Sequence, residues 1–316
     1  MIVAITGGTG FIGGYLAARH VARGDEVRYL TRKLSSANIA GAKPVCGDLA
    51  SSPDGLREFA RGVDILYHCA AELRIADDMP RTNVTGTANL IAATGGDLGR
   101  WVQLSSTGVY GKPMLGEISE DSPTDPATAY ETTKLAADAL VLEAAARRNF
   151  SCVVVRPSNV YGSDMPNQSL FQLIDKIERG LFFYIGKPDA VVNYVHVENV
   201  VDALVLCGTA SLSANGKTYI VSDHRPLEIL VGAIAAGLGA PSPRIRLPER
   251  LMRGVCGVAQ GLPGFPLSLS RIDALVSRAV FRADRIQTEL NFEHRISMEA
   301  GMRALAHAWK NRSMDA

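Results

Sequence analysis

Neither sign of charge is in excess: 33 Lys and Arg stand against 32 Asp and Glu, giving a net charge of +1 at pH 7 over 316 residues. That balance excludes a broad basic field for nucleic acid and argues against an acidic solvating chain. Cysteine is scarce. The five, at 46, 69, 152, 207 and 256, show no C-x-x-C or paired spacing, and each lies in or beside an apolar stretch. They read as small core residues in a reducing compartment, neither disulfide partners nor metal ligands. No run reaches the ~18 consecutive apolar residues of a membrane span. The first apolar run, Ile2-Val3-Ala4-Ile5, leads straight into a glycine turn, so no leader is expected. Repeats and low-complexity tracts are missing too. The default is a soluble, cytoplasmic protein without a metal. With 47% hydrophobic and 21% charged residues it has the makings of a large core. At roughly 150 residues per domain, the length fits two domains or one large α/β domain.

Short runs rich in β-branched residues alternate with helical stretches. Strands are expected at Ile2–Thr6, Glu26–Thr31, Lys43–Cys46, Val63–Cys69, Trp101–Ser105, Cys152–Arg156 and Thr218–Val221. Runs such as Val153-Val154-Val155, apolar throughout, suit a sheet covered on both faces. Helices are expected at Phe11–Arg23, Pro53–Arg61, Thr82–Thr94 and Ala129–Arg148. The alternation implies β-α-β units and a doubly wound, mostly parallel sheet. It loosens after residue 162, where Gly162–Asn167 reads as a loop. Prolines 241, 243, 248, 263 and 266 would break any long helix in 241–269, which reads as part of a substrate-covering lobe.

Thr6-Gly7-Gly8-Thr9-Gly10-Phe11-Ile12-Gly13 ends the first strand and opens the first helix. Glycines 7, 10 and 13 allow a tight turn, close approach to a pyrophosphate and close packing of helix on strand. The helix N-terminus adds free N–H groups and partial positive charge. The second strand ends at Thr31, where many such folds place a carboxylate for the adenosine ribose, and Arg32 and Lys33 follow. With no carboxylate to repel a 2′-phosphate, NADP(H) is favoured over NAD(H). Asp48-Leu49 after the third strand suits the adenine amine.

Tyr130 and Lys134 are four apart and would project from one helix face. Hydride transfer at a secondary carbon needs a partner that moves a proton on or off its oxygen. A phenol with a pKa near ~10 is a poor base at neutrality. A neighbouring ammonium and an oxidised nicotinamide would both lower it. Leu104–Gly111, at a strand end, offers Ser106 as a hydroxyl for the same oxygen.

Taken together, TGGTGFIG, HCAA at 68–71, NVTGT at 83–87, LSSTGVYG at 104–111, YETTK at 130–134, VRPSNVYG at 155–162 and NYVHVENVVDA at 193–203 resemble one family. It is the extended short-chain dehydrogenase/reductases, also called the NAD-dependent epimerase/dehydratase family. RIQTELNF at 285–292 resembles the family's near-terminal helix. The resemblance implies a seven-stranded Rossmann-type sheet in residues 1–162, regaining roughly 194–222. It assigns 163–193 and 223–316 to a smaller substrate-binding lobe, and it implies a homodimer. By resemblance Ser106 holds the reacting oxygen, Tyr130 is the acid/base, and Lys134 also holds the nicotinamide ribose. Ala70, Ala71, Asn83, Ser105 and Pro157 would line the cofactor with Gly7, Gly10, Phe11, Ile12 and Gly13. Asn159 would face the substrate beside Ser106 and Thr107.

Departures narrow the reaction. Sugar 4,6-dehydratases of this kind carry Asp-Glu after the catalytic hydroxyl residue, where this chain has Thr107-Gly108, so dehydration is not expected. Several nucleotide-sugar enzymes hold a diphosphate with an arginine where this chain has Val192, with Arg271, Arg278 or Arg282 as substitutes. His196 is expected to be structural. The expected substrate is a small molecule, a nucleotide-activated sugar for a 4-epimerase or keto-reductase. A lipophilic alcohol, as for 3β-hydroxysteroid dehydrogenases, is the alternative, with the apolar stretch 255–269 as its sign or else as lobe core. A non-catalytic dinucleotide sensor is the third reading. The intact Ser106, Tyr130 and Lys134 argue against it.

Overall fold

The computed structural model describes residues 1–34, 39–51, 53–148, 150–259 and 268–314. Seven strands form one parallel sheet: β1 (Ile2–Thr6), β2 (Glu26–Thr31), β3 (Ala42–Cys46), β4 (Ile65–His68), β5 (Arg100–Leu104), β6 (Ser151–Pro157) and β7 (Lys217–Val221). Their order is 3-2-1-4-5-6-7. Every pair is parallel. All seven were expected from sequence, and central strands such as β1 and β6, buried on both faces, read as apolar runs. Val153, Val154 and Val155 are each fully buried, as are Val3, Ala4 and Ile5.

Helices cover both faces. Phe11–Ala22 and Val197–Thr209 pack on one, around Val3, Ile5, Leu16 and Leu204. Gly86–Ala93 and Ala129–Arg148 cover the other, around Ala4, Leu66, Trp101 and Val141. The expected helix at 53–61 is a tight 3₁₀ turn over Pro53–Leu56 followed by Arg57–Ala60. The one expected at 82–94 opens on a wide π-turn, Pro80–Thr85, before Gly86–Ala93. Such irregular turns cluster where a helix must deliver a side chain to a site.

The sheet order reverses between β1 and β4, and a crevice opens there at the carboxyl ends of the strands. Thr6 pairs with His68, and Leu104 with Val155, so the strand ends carrying the glycine turn, HCAA, Ser105-Ser106 and Pro157 share one edge.

A second sheet joins Asn159–Tyr161, Val191–His196 and Asp223–Pro226. Helices Ser169–Glu178, Leu227–Leu238 and Met298–Met314 share a separate core that includes Ile174, Leu230, Ile234 and Met302. Within 241–269 a helix, Glu249–Ala259, starts directly after Pro248, where proline's fixed φ suits a helix entry. Pro263 and Pro266 lie outside the described residues, as does most of the apolar stretch 255–269. Of the described part, Cys256 is fully buried beside Ile185 and Ile272, whereas Val255 and Leu269 are exposed. The expectation that every cysteine is a core residue needs correcting. Cys152, Cys207 and Cys256 are buried, but Cys69 is only half-buried and Cys46 is exposed on the edge strand β3.

Candidate active site

One cavity of about 1470 Å³ runs along the carboxyl ends of β1, β2, β4, β5 and β6. Its floor is the turn from β1 into helix Phe11–Ala22. Gly7 takes φ +68°, a conformation L side chains rarely adopt, and a Cβ on Gly13 would sit 2.1 Å from the Gly7 carbonyl oxygen. Only glycines let strand and helix approach this closely. Gly10 caps the helix without a side-chain bond, so the first-turn N–H groups face the cavity without a side chain capping them. That is a cradle for a diphosphate. Gly7, Gly10, Phe11, Ile12 and Gly13 all line it.

At one end the wall is Thr31, Arg32 and Lys33 with Asp48 and Leu49 opposite. No carboxylate stands at the end of β2, since the Thr31 hydroxyl donates to the Lys33 carbonyl 3.0 Å away. Arg32 and Lys33 are exposed, and Arg32 acts electrostatically on the Glu72 carboxylate. Asp48 Oδ1 accepts the Ala50 N–H at 3.0 Å, so this aspartate both shapes its turn and lines the cavity.

The HCAA segment is held by a relay with a fixed direction. Ala70 N–H donates to Thr6 Oγ1, which leaves the Thr6 proton for His68 Nδ1 at 2.7 Å. At the other end Thr87 donates to the Asn83 carbonyl, so it accepts from His68 Nε2 at 2.9 Å. Nε2 thus carries a proton, and because burial keeps the ring neutral, Nδ1 accepts from the Thr6 hydroxyl. Burial pushes the His68 pKa down to about 3, with the Lys134 cation adding to the effect. Asn83 does not line the cavity. Its amide bonds the backbone of Glu72, and Thr133 of the Ala129–Arg148 helix, so it joins two walls from behind.

That helix begins with a capping box. Glu131 accepts the N–H groups of Ala127 and Thr128, while Thr128 Oγ1 accepts the N–H of Glu131. The box fixes the turn that carries Tyr130. Ser106 Oγ accepts the Gly108 N–H at 3.0 Å, and the Ser106 hydroxyl opposes the upward shift of the Tyr130 pKa. Lys134, one turn further on, donates to the Leu104 carbonyl at 2.5 Å. All three line the cavity. Sequence reasoning expects Lys134 and an oxidised nicotinamide together to lower the Tyr130 pKa toward neutral pH. The protein by itself does the opposite: burial pushes the Tyr130 pKa up to about 12, and Asp138 adds to it. Lys134 is itself destabilised as a cation by burial, an effect Asp138 opposes. Tyr130 is thus a phenol at neutral pH.

Ala70, Ala71, Ser105 and Pro157 line the cavity. Two residues expected at the substrate do not. Thr107 is buried in the turn after Ser106, and the Asn159 amide donates to the Asn193 carbonyl at 3.1 Å. His196 caps helix Val197–Thr209 by accepting the Glu198 N–H, a structural role. The three arginines considered for a diphosphate are engaged elsewhere: Arg271 with Gln172, Arg278 with Asp189, Arg282 with Glu117 and Asp284. Sequence reasoning missed Tyr15, Glu72, Leu73, Ser158 and Asp164 on the cavity wall. Tyr15 and Asp164 meet by a 3.1 Å hydrogen bond across 149 positions, a pairing no local pattern signals.

Residues 3–222 match the sequence model of the NAD dependent epimerase/dehydratase family. The chain belongs to that family. Among its relatives is a 4-hydroxy-2-methyl-3-oxo-4-farnesyl-3,4-dihydroquinoline-1-oxide ketoreductase of Stigmatella aurantiaca, 30% identical and covering 96% of this chain and 95% of the relative. A UDP-glucose 4-epimerase of Streptomyces lividans is 28% identical over 78% of this chain and 84% of its own. The fold is also that of a short-chain dehydrogenase/reductase superfamily protein from Agrobacterium tumefaciens, with a TM-score of 0.77, 20% identity and coverage of 100% and 99% of the two chains. This member of the extended short-chain dehydrogenase/reductases keeps Ser106, Tyr130 and Lys134 together on one cavity wall. No helix among the described residues is long and apolar enough to cross a membrane.

Proposed function

We propose that this chain is an NADP(H)-dependent oxidoreductase that reduces a ketone, or oxidises the matching secondary alcohol, on a lipophilic substrate. The observation that carries the chemistry is that Ser106, Tyr130 and Lys134 line one wall of the same cavity, with Lys134 one helical turn beyond Tyr130. The dinucleotide supplies or takes the hydride when bound. Ser106 holds the carbonyl oxygen in place. Tyr130, a phenol in the protein alone, donates the proton that the oxygen needs as it becomes an alkoxide. Lys134 places a cation beneath the phenol and favours the phenolate left behind.

Two observations support a lipophilic substrate. The position of a diphosphate-holding arginine is Val192, and the neighbouring arginines are engaged by other side chains. The relative that spans nearly the full length of both chains is named for reduction of a farnesyl-bearing ketone. The nucleotide-sugar reading is kept as second, because another relative is named a UDP-glucose 4-epimerase. The test is to supply NADPH with a 3-ketosteroid or a long-chain β-keto ester, and separately to supply UDP-glucose with NAD. Loss of the reduced-nicotinamide absorbance with a ketone is expected. Interconversion of UDP-glucose and UDP-galactose, with no ketone reduced, would overturn the lipophilic reading.

A further inference from the structure

Behind the cavity wall lies a buried charged cluster that the proposed chemistry does not use. Asp138 follows Tyr130 by eight residues and Lys134 by four, so all three lie along one face of helix Ala129–Arg148. It is 1% exposed. Its Oδ2 accepts from Ser105 Oγ at 2.7 Å and from Arg156 Nε and Nη2 at 3.3 and 3.2 Å. Arg156 in turn donates to the Tyr110 hydroxyl at 2.8 Å and lies over that ring. Ser105 adjoins Ser106 on β5, and Arg156 adjoins Pro157 on β6. Tyr110 closes the turn that Ser106 opens. One carboxylate therefore ties together every element that brings a side chain to the reacting end of the cavity.

We propose that Asp138 is a positioning residue for this site: it locks β5, β6 and the Tyr130 helix in register, and its negative charge keeps Tyr130 a phenol until an oxidised dinucleotide adds positive charge. This rests on the reading of Tyr130 as the acid/base. The charge balance supports it. Asp138 stands between two cations, Lys134 and Arg156. Burial pushes the Asp138 pKa up, and Arg156 and Lys134 oppose that rise. Removing the carboxylate would take away a negative charge that opposes ionisation of the phenol, so the phenolate would form more readily. Oδ1 has no hydrogen-bond partner among the described residues, so the donors to this carboxylate all meet it at Oδ2.

Of the other charged groups near Tyr130, only Glu131 acts in the same direction, and less than Asp138 does. Glu131, on the same helix, is bound to the N–H groups of Ala127 and Thr128. Cys69, at the end of β4, is held as a thiol by burial, which pushes its pKa up to about 12. Arg81 on the π-turn is exposed, and helix Gly86–Ala93 carries no titratable side chain. Glu120 accepts the Tyr110 hydroxyl through its backbone carbonyl.

The experiment labels the nine tyrosines with ¹³C at Cζ and assigns the Tyr130 signal by its loss in Tyr130→Phe. The signal is then titrated with saturating NADP⁺ and without it. Asp138→Asn is expected to lower the Tyr130 midpoint by about one pH unit, the size of a charge interaction over roughly two helical turns. Asp138→Glu is expected to restore the wild-type midpoint. A purely structural role would disturb folding and leave the midpoint of the folded fraction where it was. Should Asp138→Asn fail to fold, Asp138→Leu/Arg156→Met removes the pair together, an exchange that buried ion pairs often tolerate. Its midpoint is still expected to fall, because Asp138 and not Arg156 acts on the phenol. A wild-type midpoint in the folded variants, or failure of both to fold, overturns the inference. If NADP⁺ leaves the wild-type Tyr130 midpoint unmoved, the acid/base reading fails and the inference falls with it. A midpoint that moves with NADP⁺ but not with Asp138→Asn sinks the inference alone.

Discussion

Gly13 and Gly14 are neighbours on one helix turn, both on the cavity wall, and the structure predicts opposite outcomes for the same substitution. A methyl group at Gly13 would meet the Gly7 carbonyl oxygen at 2.1 Å, the Gly7 carbonyl carbon at 2.7 Å and the Gly8 Cα at 3.0 Å. All three are backbone atoms, so no rotamer change relieves the contact. Bringing 2.1 Å to an ordinary separation requires the turn and helix to part by about 1 Å. Overpacking of this kind costs about 1–3 kcal/mol. The displaced atoms are the same turn that would cradle the diphosphate, and a 1 Å misplacement can cost about 100-fold in a site. Gly13→Ala is therefore expected to raise the NADP⁺ dissociation constant about 100-fold and to lower Tm by several degrees. At Gly14 the nearest atom to an added Cβ is the Gly8 carbonyl oxygen at 3.5 Å, ordinary contact. Alanine in a helix is favoured over glycine by about 1 kcal/mol. Gly14→Ala should thus bind as the wild type does and melt at the same temperature or slightly higher. Calorimetric titration with NADP⁺ and thermal melts of both variants decide the matter. Equal affinities for Gly13→Ala and wild type would refute the cradle.

Three further outcomes follow from the site. Tyr130→Phe removes the proton donor and should cut turnover about 10²–10⁴-fold while NADPH affinity, read by fluorescence titration, stays near wild type; unchanged turnover would end the assignment. Arg32→Ala should weaken NADP⁺ about 10–100-fold and NAD⁺ little, because a charge-assisted contact to the 2′-phosphate is lost, and equal losses in calorimetric titrations would remove the phosphate role. His68, with its pKa depressed to about 3 in the folded chain, gains a proton on unfolding at any pH between that value and about 6.5. Its contribution is present above about pH 6.5 and drains away as pH falls, by about 1.4 kcal/mol per unit, so denaturant melts at pH 7 and 5 should differ by about 2 kcal/mol more in wild type than in His68→Gln.

The strands and the Ala129–Arg148 helix were legible because their signals are local. A strand buried on both faces is apolar along its whole length, and a helix with Tyr130, Lys134 and Asp138 at four-residue spacing shows its buried face in the sequence. The glycine turn was legible for the same reason. What was not legible depends on distant partners. The His68 relay joins positions 6, 68, 83 and 87, and it explains why Asn83 stands behind the cavity wall and not in it. The phenol's resistance to ionisation comes from burial and from Asp138, a tertiary effect that the Tyr-x-x-x-Lys spacing cannot carry. Asn159 was assigned to the substrate by likeness, yet a carbonyl on a neighbouring strand holds its amide. Asp138 could have been found from sequence, since it continues the Tyr130–Lys134 face by one more turn.

The central claim is that Tyr130 and Ser106 address an oxygen beside the reactive carbon of a bound nicotinamide. A crystal structure of the chain with NADP⁺ measures this most directly. The account predicts the diphosphate on the N–H groups of the first turn of Phe11–Ala22 and the Tyr130 hydroxyl within ~5 Å of the nicotinamide C4, leaving room for one carbonyl group between them. A dinucleotide bound elsewhere, or a nicotinamide ring separated from Tyr130 by packed side chains, would contradict it.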